Sequence, residues 1–104
     1  MIALSIIIVN YKTSEFLRNC LTAIYQSNTP FTYEIIVVDN SSAEEELESI
    51  VEQFPKLTLI ENSQNVGFVR ANNQGIEIAK GEFVLFLNPD TEVRHDAISF
   101  MANY

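Results

Sequence analysis

The sequence predicts an α/β domain in which a doubly wound, mostly parallel sheet carries helices on both faces. Short apolar runs rich in β-branched residues alternate with segments of helical periodicity, and several of these runs end abruptly in a polar cluster. Such alternation is typical of parallel sheets with right-handed crossovers. The predicted element order is β-α-β-α-β-α-β followed by the beginning of another helix, and the predicted strand order is 3-2-1-4.

The first strand and helix follow from the opening residues. Residues 4–9 are almost wholly apolar, as expected of a strand that is buried on both faces. Thr13 or Ser14 can cap the following helix, which residues 28–30 (NTP) end. The apolar stripe predicted for this helix consists of Phe16, Leu17, Cys20, Leu21, Ile24 and Tyr25.

A second strand is predicted at residues 33–39, and a second helix follows it. Ser41 and Ser42 each precede a glutamate by three residues, which is a capping-box pattern. Pro55 ends this helix. Its predicted apolar positions are Leu47, Ile50, Val51 and Phe54.

The second half predicts a short strand at residues 57–61, a helix at about 66–80 and a strand at 82–87. Gly81 is predicted to be the C-cap of this third helix. Gly75 inside it costs about 1 kcal/mol relative to alanine, which indicates close approach to a strand or a ligand. The residues predicted to face the core are Phe68, Ala71, Ile76 and Ala79.

Composition and charge limit the class of protein. We expect a single domain over residues 1–104. The net charge of −8 argues against a nucleic-acid partner. No apolar run approaches the roughly 20 residues that a membrane-spanning helix needs. The only cysteine, Cys20, lies on the helical stripe, so we expect a core residue in a reducing compartment. We therefore expect a cytoplasmic domain, at the inner face of the membrane in the full-length protein.

Several common catalytic motifs are missing. No glycine-rich phosphate loop follows the first strand, and the sequence contains no H-E-x-x-H, C-x-x-C or G-x-S-x-G pattern. The only histidine, His95, stands between Arg94 and Asp96 and is better explained as an exposed residue than as a base or ligand.

The polar clusters at the strand ends are the candidate site. Asn10-Tyr11 follows the first strand, residues 39–42 (DNSS) follow the second, and residues 88–91 (NPDT) follow the fourth. Open α/β sheets bind ligands at the carboxyl ends of their strands, so we expect these clusters to converge. Taken singly, residues 39–42 are equally well explained as a capped loop, and residues 88–91 are better explained as an ordinary turn.

Four segments together resemble family 2 glycosyltransferases of the GT-A fold, whose nucleotide-binding half is Rossmann-like. They are residues 5–11 (SIIIVNY), 37–42 (VVDNSS), 65–68 (NVGF) with 72–75 (NNQG), and 87–91 (LNPDT). The last matches the variant of the family's D-x-D motif that is common in rhamnosyltransferase-like members. The similarity spans essentially the whole chain.

The resemblance implies inverting transfer of a sugar from a nucleoside diphosphate donor, of UDP or dTDP type, to a hydroxyl acceptor. It implies that Asp39 accepts a hydrogen bond from the pyrimidine N–H and that Asp90 holds Mg²⁺ or Mn²⁺. It also implies that Tyr11 stacks on the base and that Arg70 donates to a donor oxygen. The implied nucleotide-sugar-binding residues are Val9, Asn10, Tyr11, Asp39, Asn65, Gly67, Arg70, Asn88 and Asp90.

Two departures from the family pattern limit this expectation. Asn88 replaces the first carboxylate of D-x-D, so metal binding should depend on the donor's phosphates. Glu92 and Asp96 lie too near the metal motif to act as the base, and we assign no catalytic residue. We expect donor binding without transfer by this chain, with a non-catalytic α/β assembly module as the alternative. The apolar edge at residues 83–87 predicts self-association.

Overall fold

The computed structural model describes residues 1–27, 29–43 and 45–89, which form a four-stranded sheet with helices on both faces. The elements are β1 (Ile2–Asn10), α1 (Ser14–Gln26), β2 (Tyr33–Asp39), α2 (Glu46–Gln53), β3 (Thr58–Glu61), α3 (Phe68–Ile78) and β4 (Gly81–Leu87). The strand order is β3-β2-β1-β4 and all three pairings are parallel. The predicted class and strand order are thus confirmed, whereas the helix predicted after β4 lies outside the described residues.

The register of the sheet brings the carboxyl ends of the strands to one edge. Asn10 at the end of β1 is paired with Asp39 at the end of β2, and Asp39 is paired with Glu61 at the end of β3. On the other side of β1, Ile8 is paired with Leu87. Side chains that follow these strands therefore meet at the same edge, as the sequence predicts.

The core consists of two layers, one on each face of the sheet. Alternate residues of a strand point to opposite faces, so β1 and β2 supply both layers. The layer under α1 and α2 contains Ile6, Ile8, Leu17, Cys20, Leu21, Ile24, Ile35, Val37, Leu47 and Ile50. The layer under α3 contains Ile7, Val9, Ile36, Val38 and Ala71. Burial of one such large aliphatic side chain contributes roughly 1.5–3 kcal/mol, which explains the continuous apolar runs at the centres of β1 and β2.

The predicted stripe of α1 is correct at four buried positions and at Tyr25, which is partly buried against the same core, but wrong at Phe16, which is 53% exposed. Thr13 precedes the helix without a side-chain capping bond. Its hydroxyl instead donates to Oδ1 of Asn10 over 2.6 Å. The Thr13 hydroxyl, the candidate cap of α1, therefore bonds to the end of β1 instead.

The predicted capping box before α2 is wrong. The helix begins at Glu46, and no side chain caps its first turn. The Ser41 hydroxyl donates to the Ser63 carbonyl, and the Ser42 hydroxyl donates to Asp39. Ser42 therefore bonds to the end of β2, whereas Ser41 bonds to the segment after β3.

The predicted C-cap at Gly81 is also wrong, because α3 ends at Ile78 and Gly81 is the first residue of β4. A Cβ atom at Gly81 would lie 2.5 Å from the backbone nitrogen of Ser5 on β1. The Gly81 N–H donates to the Ser5 hydroxyl over 2.8 Å. Glycine is needed here for close approach between two strands and not for a helix end.

Helix α3 packs on the sheet through small residues. Ala71 and Gly75 are buried, and a Cβ atom at Gly75 would lie 2.7 Å from Cγ2 of Ile7. This contact confirms the predicted close approach to a strand. Phe68 and Ile76 are 55% and 44% exposed, so the predicted core face of this helix is wrong at both positions.

Among the described strands, β4 lies at one end of the sheet, next to β1 alone. Phe83, Val84 and Phe86 are exposed on it. Self-association through this edge stays a prediction. Nowhere in the described ranges is there a helix long and apolar enough to cross a bilayer.

Candidate functional site

A cavity of about 390 Å³ opens at the carboxyl edge of the sheet, on the α3 side. It is lined by Val9, Tyr11, Thr13, Asn40, Asn65, Gly67, Phe68, Asn88 and Pro89. The cavity lies beside the end of β1. The chain continues from β1 to β2 on one side of β1, whereas β4 pairs with β1 on the other side. Such a switch point is where open α/β sheets bind ligands. The structure therefore brings Val9, Tyr11, Asn65, Gly67 and Asn88 of the predicted site to one cavity.

Asn10 and Asp39 form a buried polar pair behind this cavity. The Asn10 amide donates to Oδ1 of Asp39 over 2.9 Å. The Ser42 hydroxyl donates to the same oxygen over 2.5 Å, and the Ser42 N–H donates to Oδ2 over 3.2 Å. Asp39 is only 4% exposed and Asn10 is fully buried. The carboxylate is thus held in one orientation by three donors.

The loop after β1 is tied to the loop after β2 through Ser42. The Ser42 hydroxyl accepts the Lys12 N–H over 3.0 Å, while the Asn40 N–H donates to the Asn10 carbonyl over 2.8 Å. Lys12, Ser41 and Ala43 all have left-handed backbones, with φ of 56°, 62° and 55°. Non-glycine residues adopt this region at a cost of order 1 kcal/mol or more, and strain of this kind clusters at functional sites.

Asp39 also borders a second cavity of about 610 Å³ on the α2 side of the sheet. This cavity is lined by Asp39, Ser41, Ala43, Glu45, Leu47, Glu48, Glu61 and Asn62. Four of these residues are acidic, so the cavity is unsuited to an anion. In the part of the chain that the structure describes, no group of three or more His, Cys, Asp or Glu residues is arranged to hold a metal ion.

Three amide side chains that are not among the implied binding residues support the wall of the first cavity. Asn40 contacts the backbone of Val66 and Gly67, and Asn62 contacts both Asn40 and Gln74. The run of amides in α3 was the available signal, but its partner Asn62 lies in another segment and only the fold brings the two together.

Neither Asp39 nor Arg70 is among the residues that line the cavity. Arg70 is in the first turn of α3 with an exposed side chain. Asp90, the predicted metal ligand, lies outside the described residues. Lys12, which the resemblance did not include, places its Nζ 5.2 Å from the centre of the Tyr11 ring and supplies a positive charge beside the cavity.

Comparison with known proteins identifies the family. The family model described as glycosyl transferase family 2 matches residues 5–104. The poly(ribitol-phosphate) beta-glucosyltransferase of Bacillus spizizenii is 33% identical over 97% of this chain and 17% of its own length. The low-salt glycan biosynthesis hexosyltransferase Agl10 of Haloferax volcanii is 36% identical over 91% of this chain and 30% of its own length.

Solved structures show the same fold. TarS residues 1–349 from S. aureus, in complex with UDP, is 25% identical with a TM-score of 0.86, over 98% of this chain and 31% of that one. The mannosyltransferase PcManGT from Pyrobaculum calidifontis, in complex with GDP-Man and Mn²⁺, is 24% identical with a TM-score of 0.78, over 92% and 30%.

The chain spans less than a third of the length of each of these relatives. The family model nevertheless covers almost all of its residues. By that match, this chain belongs to glycosyl transferase family 2.

Proposed function

We propose that this chain binds the nucleoside diphosphate part of a UDP- or dTDP-sugar, for inverting transfer of the sugar to a hydroxyl acceptor. The observation that carries the proposal is the 390 Å³ cavity at the carboxyl edge, which gathers Val9, Tyr11, Asn65, Gly67 and Asn88. Membership of the family and the UDP held by the TarS fragment support it. A cytoplasmic location belongs to the same proposal.

Asp39 is the proposed acceptor for the base. It does not line the 390 Å³ cavity but borders the 610 Å³ cavity, so this role rests on the family resemblance. Its Oδ1 accepts two hydrogen bonds, whereas its Oδ2 accepts one, from the backbone of Ser42, among the described contacts. Oδ2 therefore retains capacity for the ring N–H of a pyrimidine, and such a bond to a carboxylate is charge-assisted. The Asn10 amide orients the Asp39 carboxylate through its hydrogen bond to Oδ1. Tyr11, which is 43% exposed, offers a flat face on which the base can stack.

The diphosphate needs positive charge in a chain whose net charge is −8. Lys12 and Arg70 are the exposed cations nearest to the cavity along the chain, and we propose that they meet the donor's oxygens. Long, exposed cationic side chains can adjust to a phosphate, and the exposed state of Arg70 is compatible with that role.

We propose Mg²⁺ or Mn²⁺ as the cofactor, held by Asp90 together with the donor's phosphates. Asn88 lines the cavity, and its amide oxygen is a suitable additional ligand because both ions prefer oxygen. When bound, the metal would neutralise charge on the leaving diphosphate. The Mn²⁺ in the Pyrobaculum mannosyltransferase belongs to a protein that is like this chain in fold alone, so Asp90 and Asn88 carry this assignment.

Transfer by the chain alone is not part of the proposal, since no residue of it is assigned as the base that deprotonates the acceptor. General base catalysis is worth about 10²–10⁴-fold. The second candidate is a non-catalytic assembly module, which the exposed Phe83 and Phe86 on β4 favour.

Calorimetric titration with UDP, dTDP and GDP, each with and without Mn²⁺, tests the proposal. We expect UDP or dTDP to bind more tightly than GDP, and Asp39→Ala to weaken binding at least about tenfold, as for loss of a charge-assisted bond. Glu52→Ala, an exposed acidic residue on α2, is the matched control and should bind as the parent chain does.

The metal assignment has a separate readout. Asp90→Ala should lose the part of the affinity that depends on Mn²⁺ and keep the rest. Unchanged Mn²⁺ dependence in this variant would refute the metal assignment alone. Absence of binding by any of the three nucleotides at millimolar concentration would instead favour the assembly module.

A further inference from the structure

Asn40 is one of the residues that line the 390 Å³ cavity, next to the wall that Asn65 and Gly67 form. It follows Asp39, the last residue of β2, and its N–H donates to the Asn10 carbonyl over 2.8 Å. Because successive strand residues point to opposite faces, Asn40 projects towards α3 while Asp39 projects towards α1 and α2. Its side chain is only 2% exposed. A buried amide in this place must have its donors and acceptor satisfied by the protein.

The Asn40 amide holds the segment 65–67 at two backbone points. Its Nδ2 donates to the Gly67 carbonyl over 3.2 Å, and its Oδ1 accepts the Val66 N–H over 3.3 Å. The Gly67 N–H donates to Oδ1 of Asn65 over 2.8 Å, and Gly67 has φ of 87°. The Gly67 carbonyl also accepts the Ala71 N–H in the first turn of α3. The bend that forms the cavity wall is therefore fixed by Asn40 on one side.

Asn62 and Gln74 hold Asn40 in turn. Asn62 donates to Oδ1 of Asn40 over 3.0 Å. Asn62 and Gln74 exchange two amide hydrogen bonds, of 2.8 and 2.9 Å. The orientation of the Asn40 amide is determined by the backbone, since Val66 offers a donor and Gly67 an acceptor. Only a side chain that both donates and accepts satisfies these partners.

We infer that Asn40 is a positioning residue for donor binding, acting through the wall that Asn65 and Gly67 form. This inference rests on the proposed function, because it takes the cavity to be the site of the nucleoside diphosphate. Fixing the wall before the ligand arrives reduces the ordering that binding must supply. Loss of the two-point contact should lower affinity for UDP even where the chain remains folded.

The charge of the surroundings allows a test by pH. The described partners of the Asn40 side chain are amide and backbone groups, which do not titrate. They lie on the segment before α3 and directly after β3. The neighbouring acidic residues, Asp39 and Glu61, are register partners at the ends of β2 and β3, and their side chains border the 610 Å³ cavity on the opposite face of the sheet. An ionisable group introduced at position 40 would therefore report on its own contact with Gly67.

Asn40→Asp keeps the acceptor for Val66 but, when ionised, has no proton to donate to the Gly67 carbonyl. At about pH 7.5 we expect its affinity for UDP to be about tenfold below that of the parent chain. As the pH falls towards about 5.5, the buried carboxyl gains a proton that can be donated, and the ratio of the two affinities should fall to about twofold. Measurement of the parent chain at each pH corrects for any effect that the ionisation of UDP itself has on affinity.

Asn73→Asp is the matched control, because Asn73 is exposed on α3 and the charge change is the same. Its affinity should follow the parent chain at every pH. Equal affinities of Asn40→Asp and the parent chain at all pH values would overturn the positioning role and leave the proposed function standing. A parent chain that does not bind UDP would overturn both.

Gln74→Ala gives a second test should Asn40→Asp fail to fold. It removes the partner of Asn62 on the surface of α3, away from the cavity lining. Because both amide hydrogen bonds to Asn62 are lost, we expect a lower thermal midpoint and, for the folded chain, a UDP affinity that falls by about two- to threefold. A purely structural role would lower the midpoint and leave the affinity of the folded fraction unchanged, which would count against the inference.

Discussion

Asn10 and Asp39 are register partners at the ends of β1 and β2, and the Asn10 amide donates to Oδ1 of Asp39 over 2.9 Å. A carboxylate with so little exposure needs donors, and a neutral amide supplies one without adding a charge. The hydroxyl of Thr13 in turn donates to Oδ1 of Asn10. The end of the central strand thus orients the neighbouring acid and the following loop together.

Removal of this amide should destabilise the chain. Asn10→Ala leaves one oxygen of Asp39 with fewer donors and the Thr13 hydroxyl without its acceptor, and we expect a loss of about 1–3 kcal/mol in the free energy of unfolding. Urea denaturation measures it. Asn73→Ala, on the exposed side of α3, should stay within about ±0.5 kcal/mol.

A double-mutant cycle that combines Asn10→Ala with Ser42→Ala tests whether the two donors to Asp39 act together. Because Asn10 and Ser42 both donate to Oδ1 of Asp39, their effects should be non-additive by about 0.5–3 kcal/mol. Strict additivity would show that the two donors act independently.

The contact between Gly75 and Ile7 predicts that Gly75→Ala destabilises the chain, although alanine is the better helix former. Gly75→Ala gains about 1 kcal/mol of helix propensity, but its Cβ would lie 2.7 Å from Cγ2 of the fully buried Ile7. Overpacking costs about 1–3 kcal/mol, so we expect a net loss of up to about 2 kcal/mol by urea denaturation.

Ile7→Ala removes every side-chain atom in that contact, so Gly75→Ala should become neutral or stabilising in this background. Ile7→Val is the matched control, because it keeps Cγ2 and should leave Gly75→Ala destabilising. If Gly75→Ala stabilised the chain in all three backgrounds, the close approach of α3 to β1 would be wrong.

The sequence predicted the sheet and its order because β1 and β2 are buried on both faces and carry continuous apolar runs. It also predicted the convergence of Asn10 and Asp39, since parallel strands end at one edge. The sequence-based prediction was wrong where one local pattern is compatible with two structural roles. Ser42 matches a helix cap but bonds to Asp39, and Gly81 matches a C-cap but permits strand contact.

The support of the cavity wall could not be predicted for a different reason. Asn40, Asn62 and Gln74 come from separate segments, and their contacts exist only once β2, β3 and α3 are assembled. Asparagine and glutamine are equally common on solvated surfaces, so nothing in the pattern alone distinguishes a buried amide from an exposed one.

Burial of Cys20 predicts a loss of stability at alkaline pH. Desolvation raises the pKa of its thiol from 9.0 to about 11. Between these values the unfolded chain loses the proton while the folded chain keeps it. The free energy of unfolding therefore holds its full value below pH 9.0 and falls as the pH rises through about 11, by up to about 2–3 kcal/mol.

Urea denaturation of the parent chain and Cys20→Ala over this pH range measures the effect. Burial also raises the pKa of Tyr25 and of Tyr33, but both tyrosines are present in the two proteins and cancel in the difference. The difference in stability between the two proteins should shrink as the pH rises. A difference independent of pH would contradict the linkage.

The exposed edge of β4 predicts that the chain self-associates. In the described part of the sheet β4 pairs with β1 alone, and Phe83 is 66% exposed on it. An open apolar edge is a template for a second copy of the strand, and two-fold pairing would cover both edges. The net charge of −8 opposes this, but at ordinary salt its repulsion is screened beyond about 8–10 Å.

Light scattering across a concentration series, up to tens of micromolar, measures the association. The average mass of the parent chain should rise with concentration. Phe83→Lys should lower it, because a lysine on an edge strand disfavours pairing. Phe16→Lys makes the same change at a phenylalanine that is 53% exposed on α1, away from β4, and should associate as the parent chain does. A constant monomer mass for the parent chain would contradict the prediction, and equal effects of the two substitutions would show that charge, and not the β4 edge, controls association.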